Sequence, residues 1–314
     1  MESIFRRKRL MGWLPDYPDF RDLTVDDDNL STRMQSLGQD SIKKMLAKTT
    51  PKKAVKAGLP NKLTLVSWFS PIEDQGNLGS CTANAGVGLV EYFERRAFGK
   101  HIDASRLFLY KATRNLMQEK GDTGAFLRTT MGALVLFGVP PEDYWPYNVA
   151  NFDKEPSAFC YAFAQSYQPI SYYRLDPPGT KPDELLSRIK TNLAAGLPSM
   201  FGFTVYSSIS QANQTGGKIP YPTKGDKIEG GHAIVVAGYD DTMKIKNSGV
   251  GGVETIGAFL IRNSWGTDWG ENGYGWLPYE YVLNTSKYVQ STDNQINFLM
   301  GRNEASKFLK VTLK

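Results

Sequence analysis

The spacing of apolar residues changes at Pro198, and this change limits the folds that the chain can adopt. Upstream, apolar residues recur with the helical period, and the clearest stripe consists of Cys81, Ala85, Leu89 and Phe93. The predicted helices are Ser80–Arg96, Leu107–Gln118, Thr129–Phe137 and Lys181–Ala195. Downstream, short apolar runs between glycine-rich turns predict strands at Ser199–Tyr206, Ala233–Tyr239, Gly257–Arg262 and Tyr274–Leu277. Helices followed by strands predict an α+β protein with segregated halves.

Composition excludes several classes of protein. With 41% hydrophobic residues and a net charge of +5 over 314 residues, the chain is too apolar for intrinsic disorder. It is long enough for one large domain or two lobes. Its two cysteines, Cys81 and Cys160, form neither the disulfide framework of small secreted domains nor a Cys-x-x-Cys zinc pair. We expect Cys160 to be a free buried thiol.

The positive charge lies at the two ends of the chain. Residues 1–58 carry 12 basic and 8 acidic side chains, residues 301–314 carry 4 and 1, and the core between them carries 21 and 23. This distribution does not predict a nucleic-acid partner. The basic cluster 6–9 precedes an apolar stretch too short for a Sec signal peptide, and no apolar run reaches the roughly 20 residues of a membrane-spanning helix. Localisation stays open between the cytoplasm and export by another route.

The stretch before Gly58 differs from the rest of the chain. Two prolines within Trp13–Asp19 favour extended or turn backbone, an acidic patch follows at Asp26–Asp28, and Asp40–Lys48 has the pattern of a short helix. Two interpretations are open for this stretch: a solvated leader, or a segment that packs on the main domain.

Cys81 begins a predicted helix behind a glycine-rich loop. The local sequence is Gln75-Gly76-Asn77-Leu78-Gly79-Ser80-Cys81. Unsatisfied N–H groups and the positive end of the dipole at a helix N-terminus favour the thiolate, which is the nucleophilic form of cysteine. Considered alone, a single cysteine is more often an inert buried residue.

Two further motifs carry groups that can act with Cys81. His232, one of two histidines, opens an apolar strand, where a sheet would hold it as a general base. Asn263 ends another apolar strand and can hold an imidazole in one orientation, while Trp265 can shield that hydrogen bond from water. The alternatives are a structural histidine and a turn that only packs.

Together, the three motifs resemble the signature of the papain-like cysteine proteases. That family carries Gln-Gly-x-x-Gly-Ser-Cys, a His-Ala strand ending in Gly-Tyr, and Asn-Ser-Trp-Gly-x-x-Trp-Gly-x-x-Gly-Tyr, in this order; the resemblance runs over about residues 59–288. It implies that Cys81 is the nucleophile, His232 its base and acid partner, Asn263 the orienting residue and Gln75 the oxyanion-hole glutamine. It also implies the family's two-lobed α+β fold, with a helical lobe bearing the cysteine, a β-rich lobe bearing the histidine, and an active-site cleft between them.

The sequence departs from the family pattern at two places. Leu78 stands where family members usually have a cysteine, and Thr82 where they have Trp or Tyr. These changes remove a common disulfide but no catalytic atom. The polar segment 240–256, between His232 and Asn263, looks like a hairpin insertion, which a surface loop tolerates at little cost.

The resemblance gives weaker guidance on substrate binding. Gly124 is the candidate for a glycine-rich edge that pairs with the substrate backbone, with an ordinary turn glycine as the alternative. Met200 is the candidate for lining the main specificity pocket, with an ordinary core position as the alternative. An apolar pocket there predicts a preference for a bulky apolar residue just upstream of the scissile residue.

Many members of the family are zymogens whose prosegment lies through the cleft. Residues 1–58 resemble the short leader of bacterial, xylellain-like members, and we expect residues around Trp13–Arg21 to cover the cleft until they are removed. The chain would then consist of a prosegment (1–58), a peptidase domain (59–300) and a basic C-terminal tail (301–314).

The favoured function is a cysteine endopeptidase that hydrolyses polypeptides through a Cys81 thioester and uses no metal or organic cofactor. Its partners are then polypeptide substrates and its own N-terminal prosegment. Two alternatives stay open. One is an acyl transferase of the transglutaminase type, which normally orients its histidine with aspartate; the other is a non-catalytic papain-like binding protein.

Overall fold

The structure is a computed structural model that describes residues 11–17, 19–20, 22–49, 58–283 and 295–300. The basic cluster 6–9 and the tail 301–314 lie outside the described residues. Within them, the helices and strands are β1 (Trp13–Leu14), α1 (Thr32–Ser36), α2 (Ile42–Thr49), β2 (Lys62–Thr64), α3 (Cys81–Phe98), α4 (Arg106–Met117), β3 (Ala125–Phe126), α5 (Leu127–Phe137), α6 (Ala158–Ala164), β4 (Ser171–Arg174), α7 (Pro182–Ala194), β5 (Ser199–Tyr206), β6 (Ile228–Lys246), β7 (Glu254–Arg262), β8 (Tyr274–Pro278), α8 (Glu280–Leu283) and β9 (Gln295–Met300).

The helical half of the molecule is built around α3. Residues 81–94 of this helix are all buried, and it packs against α4, α5 and strand β6. The helix ends at Gly99, which adopts a left-handed φ of 71° that suits glycine. α4 begins at Ser105, whose hydroxyl accepts the Phe108 N–H at 3.1 Å, as expected of an N-cap. No helix in the described ranges combines the length and the apolar character needed to cross a membrane.

The β-rich half contains a seven-stranded sheet. Its strand order is β4-β9-β5-β6-β7-β8, with β2 also paired to β6, and each of these strand pairs is antiparallel. The predicted strand 233–239 is the middle of β6, which has 19 residues. β6 and β7 pair beyond Asp240 as far as Lys246 and Glu254, so the inserted segment 240–256 is a hairpin, as the sequence indicated.

The N-terminal segment, meaning the described residues between 11 and 49, packs on both halves. Met34 and Ile42 have no exposed surface, and Trp13 is 4% exposed. β1 pairs in parallel with β3, at the edge of the helical half. Of the two interpretations left open by the sequence, the packed segment is therefore the one observed in the described residues.

Arg262, at the end of β7, connects the two halves of the molecule. Its guanidinium donates to the Pro71 carbonyl at 2.6 Å and to the Ser70 hydroxyl at 3.1 Å, and Ser70 in turn donates to Glu91 of α3. A Cβ built on Gly88 would lie 2.9 Å from Arg262 Nη1, so α3 has a glycine where the guanidinium crosses it. This contact fixes the end of β7 against α3.

A buried carboxyl on α3 predicts a pH-dependent stability. Burial raises the pKa of Glu94 from 4.5 to about 7, although the Ile102 N–H donates to its carboxylate and lowers the pKa. Because the folded-state pKa is the higher one, this group's stabilising contribution is complete below about pH 4.5 and is lost as the pH rises through about 7. We expect Glu94→Gln, which keeps an acceptor for Ile102, to raise the free energy of unfolding by about 2–3 kcal/mol at about pH 8 and by much less at about pH 5.

Denaturant unfolding at the two pH values measures this difference. Glu119→Gln, at an exposed position, is the matched control and should change stability equally little at both. An equal gain for Glu94→Gln at both pH values would contradict the prediction.

Candidate active site

His232 and Asn263 meet where β6 and β7 run side by side. The imidazole Nε2 lies 2.8 Å from Asn263 Oδ1, and the same oxygen accepts the Ser264 backbone N–H at 2.8 Å. Because a backbone N–H only donates, it identifies that atom as the amide oxygen, and Nε2 therefore carries the imidazole proton. Nδ1 is then the ring nitrogen that can accept a proton.

Trp265 covers this hydrogen bond. Its ring stacks on the His232 imidazole with centroids 4.5 Å apart and an interplanar angle of 27°, and Trp269 packs edge-on against Trp265. His232 and Asn263 are 1% and 2% exposed. A hydrogen bond shielded from water in this way is electrostatically stronger than one in solvent.

Cys81 is the first residue of α3 and faces the histidine strand. Backbone N–H groups of Ala233, Gly12, Thr82 and Cys81 itself lie close enough to its thiol to lower the pKa of that thiol. Ala233 directly follows His232, so these contacts bring the thiol to the histidine end of β6. The sequence motifs around Cys81, His232 and Asn263 thus meet in one place.

The loop before Cys81 is tied to the Asn263 segment. The Gln75 N–H donates to the Ser264 carbonyl at 2.9 Å, and the Ser264 hydroxyl donates to Gln75 Oε1 at 2.6 Å. With its oxygen held, the Gln75 side chain presents its two N–H donors on the other side, one of which is directed to Leu78 O at 2.9 Å. Gln75 has no exposed surface, so its orientation is set by these contacts.

Tyr147 supports the same loop and was not singled out from the sequence. Its hydroxyl lies 2.7 Å from the Ser80 hydroxyl and donates to the Gln75 carbonyl at 2.9 Å, which joins the two ends of the loop. The Arg106 guanidinium stacks over the Tyr147 ring at 4.1 Å. No local pattern identifies Tyr147, because its contacts with the loop span 67 and 72 positions along the chain.

The N-terminal segment lies extended through the cleft between the two halves. The Ala125 N–H donates to the Gly12 carbonyl at 2.7 Å, and a Cβ built on Gly12 would lie 1.8 Å from Gly79 O. Cys81 is consequently 0% exposed. The sequence predicts that residues 13–21 cover the cleft; in the described residues, the contact with the loop before Cys81 is made by Gly12.

Gly124 lies directly against this extended chain. A Cβ on Gly124 would lie 2.4 Å from the Gly12 carbonyl oxygen, and its φ of +75° also favours glycine. The main-chain hydrogen bond to the segment comes from the next residue, Ala125. Substrate binding at Gly124 stays a prediction.

Met200 is fully buried in β5, two residues before Gly202 and on the same face of the strand. The Trp13 ring lies over Gly202, where a Cβ would come within 2.2 Å of Trp13 Cε2. Gly231 on β6 likewise leaves room for Trp13, since a Cβ there would come within 2.3 Å of Trp13 O. The role of Met200 stays a prediction, and the sequence did not identify Gly202 and Gly231.

The sequence of this chain matches the model of the papain family of cysteine proteases over residues 63–290. The chain belongs to the papain family. Its sequence is also 31% identical over 278 residues to an uncharacterized peptidase C1-like protein of Acanthamoeba polyphaga mimivirus, covering 87% of this chain and 83% of that protein. This membership makes the protein a papain-like cysteine peptidase.

Solved structures of papain-family enzymes show the same architecture. Xylellain, a cysteine protease from Xylella fastidiosa, is 32% identical with a TM-score of 0.69, covering 99% of this chain and 100% of that chain. Digestive procathepsin L 3 of Tenebrio molitor is 17% identical with a TM-score of 0.56, covering 82% of this chain and 79% of that chain. The fold is therefore the two-lobed α+β papain-like fold, with the helical and β-rich halves as its lobes.

The state of the Cys81 thiol differs from the sequence expectation. Burial raises the pKa of Cys81 to about 11, and it outweighs the four backbone N–H groups, which lower the pKa. The helix N-terminus thus favours the thiolate as expected, but the covered cleft favours the thiol more strongly. Cys160 is a free buried cysteine on α6, as the sequence predicted.

Alkylation kinetics can test whether the N-terminal segment protects Cys81. We expect Cys81 in the full-length chain to react slowly with iodoacetamide, and faster as the pH rises, because only the thiolate reacts. Trp13→Ala should raise the rate about tenfold or more, since it removes the ring that anchors the segment over Gly202.

The measurement uses a Cys160→Ser background, which leaves Cys81 as the one thiol of the chain. Trp68→Ala is the matched control. Trp68 is 42% exposed, so its substitution should leave the alkylation rate unchanged. Equal rates for Trp13→Ala and the background chain would show that the segment does not protect the thiol.

Proposed function

We propose that the protein is a cysteine endopeptidase made as a zymogen. The observation that carries this proposal is the extended backbone around Gly12, which packs against Gly79, two residues before Cys81, and accepts a hydrogen bond from Ala125. The cleft thus accepts an extended polypeptide backbone beside Cys81. The proposed substrates are accordingly polypeptides, which the enzyme would cleave at internal peptide bonds.

In the proposed acylation step, His232 Nδ1 takes the Cys81 proton and the thiolate attacks the substrate carbonyl carbon. The new oxyanion is held by the Gln75 side-chain amide and the Cys81 backbone N–H. The tetrahedral intermediate collapses with cleavage of the C–N bond. His232 gives its proton to the leaving amine, and the acyl group stays on Cys81 as a thioester.

In deacylation, His232 Nδ1 takes a proton from water, and the resulting hydroxide attacks the thioester carbonyl. The C–S bond then breaks, the carboxylic acid leaves, and the proton returns to sulfur. Through both steps, the bond from Nε2 to Asn263 Oδ1 at 2.8 Å keeps Nδ1 directed toward the thiol. Asn263 supplies this bond without a charge, unlike the aspartate of the transglutaminase alternative.

Two arginines hold the N-terminal segment beside the cleft and support the zymogen proposal. Arg128 forms a bidentate pair with Asp22, with Nε–Oδ1 and Nη2–Oδ2 distances of 2.8 and 2.6 Å, and Arg174 adds a contact to Asp22 at 3.3 Å. Asp16 accepts the Arg128 backbone N–H at 3.0 Å, in the first turn of α5. Bidentate, charge-assisted pairs of this kind are among the stronger polar contacts in proteins.

The assignment of Cys81 predicts a complete loss of activity on substitution. We expect Cys81→Ala to abolish hydrolysis of a dipeptidyl fluorogenic substrate and labelling by the epoxide inhibitor E-64, because no thiolate is available to form the thioester. Cys160→Ser should keep both properties. Amine incorporation exceeding hydrolysis in the wild-type chain would favour the acyl transferase, and activity retained in a folded Cys81→Ala variant would refute the assignment.

The ion pairs of Asp22 predict that the unprocessed chain can be activated by mutation. We expect Asp22→Asn to raise the peptidase activity of the intact chain about tenfold, because it weakens the bidentate contact and lets the segment leave the cleft more often. Intact-mass analysis must show that the chain is still unprocessed during the assay.

Asp26→Asn is the matched control for this test. Asp26 is also in the N-terminal segment and pairs with Arg188 at 2.9 Å, but its side chain is 72% exposed, so its loss should change activity little. If both variants activate equally, or neither does, Asp22 is not part of the element that keeps the segment in the cleft.

A further inference from the structure

Asp122 links two segments that border the cleft. One is the loop of residues 75–80 before Cys81, called the nucleophile loop below; the other is the edge formed by Gly124 and Ala125. Its two carboxylate oxygens both lie 3.0 Å from the backbone N of Gly79, two residues before Cys81. Asp122 itself belongs to the turn that leads into β3. The carboxylate therefore joins two segments that are 43 positions apart in the chain.

Tyr110 extends this link to the residue beside the substrate path. Its hydroxyl donates to Asp122 Oδ1 at 2.5 Å and accepts the Gly124 N–H at 3.0 Å. Tyr110 has no exposed surface, and the Arg114 guanidinium lies over its ring at 4.3 Å. The hydroxyl is thus held by a buried ring on α4, and it fixes the turn that carries Asp122.

Both ends of the link contact groups on which the proposed reaction depends. Gly79 belongs to the loop between Gln75 and Cys81, which carries the two proposed oxyanion donors. Gly124 precedes Ala125, whose N–H donates to the backbone lying in the cleft at 2.7 Å. A shift of either segment would change the distance between the scissile carbonyl and the donors that stabilise its oxyanion.

We infer that Asp122 and Tyr110 are positioning residues, which hold the peptide-binding edge in register with the nucleophile loop. This inference rests on the proposed function, since it assigns these residues to the same cleft. Asp122 acts mainly on the loop and therefore on kcat. Tyr110 acts mainly on the edge and therefore on KM, because its hydroxyl is the group that bonds to Gly124.

Asp153 provides a matched control on the other side of the same turn. It accepts the Gly121 N–H at 3.3 Å and pairs with Arg114 at 2.7 Å, so it also supports this turn with a carboxylate. It forms neither the bond to Gly79 nor the bond to Tyr110 that defines the link. A general loss of turn stability would affect Asp153→Ala and Asp122→Ala alike.

The test compares full-length chains that are folded first and then freed of the N-terminal segment by limited proteolysis. We expect Asp122→Ala to lower kcat about tenfold or more and Tyr110→Phe to raise KM severalfold with kcat within about twofold, because small displacements at the reacting atoms have large rate effects. Asp122→Asn, which keeps an oxygen acceptor for Gly79, should recover most of kcat. Asp153→Ala should leave both constants within about twofold.

Circular dichroism and thermal unfolding establish that each variant is folded. If Asp122→Ala does not fold, the test rests on Asp122→Asn and Tyr110→Phe. A Tyr110→Phe enzyme with unchanged kcat and KM overturns the inference. So does a folded Asp122→Ala enzyme with wild-type kcat, or an Asp153→Ala enzyme whose kcat falls as much as that of Asp122→Ala. An inactive wild-type enzyme would instead refute the proposed function, so the two failures are distinguishable.

Discussion

The active site depends on the pair of hydrogen bonds between Gln75 and Ser264. Gln75 belongs to the loop that leads into α3, and Ser264 follows the asparagine that holds His232. The two bonds therefore set the distance between the lobes at the point where Cys81 lies beside the strand that carries His232. Arg262 strengthens the same junction from the other side, because its buried guanidinium crosses α3 at Gly88. Arg262 and Ser264, the two sequence neighbours of Asn263, thus make the contacts that join the lobes.

Local patterns predicted the elements on which the site is built. The four-residue apolar stripe beginning at Cys81 corresponds to α3, since a helix that crosses the centre of a lobe must bury a continuous face. The predicted strand 199–206 has the same bounds as β5. Every residue of β5 is buried, and such a strand appears in the sequence as a continuous apolar run. The motifs around His232 and Asn263 lie on strands, as their apolar flanks indicated, and the structure shows that these strands are adjacent.

Contacts made across the fold were not predictable in the same way. β4 and β9 were not predicted from the sequence, and β4 joins the sheet only through its pairing with β9. Tyr147 and Gly202 take part through side-chain contacts or the absence of a side chain, neither of which leaves a periodic signal. The raised pKa of Cys81 could not be inferred from a helix N-terminus, since it depends on what covers the cleft.

The glycines that line the cleft have a consequence for how this enzyme can diversify. Gly202, Gly231 and Gly124 lie directly against residues 12 and 13 of the same polypeptide, so each is fitted to this internal segment and, under the proposed function, to a substrate as well. Under the proposed function, a side chain added at Gly202 would displace Trp13 from the cleft and would also change which peptides fit there. A variant with altered substrate specificity would then also be active before the N-terminal segment is removed, unless residue 13 changed as well. Under the proposed function, substrate recognition and inhibition by the N-terminal segment would therefore change together.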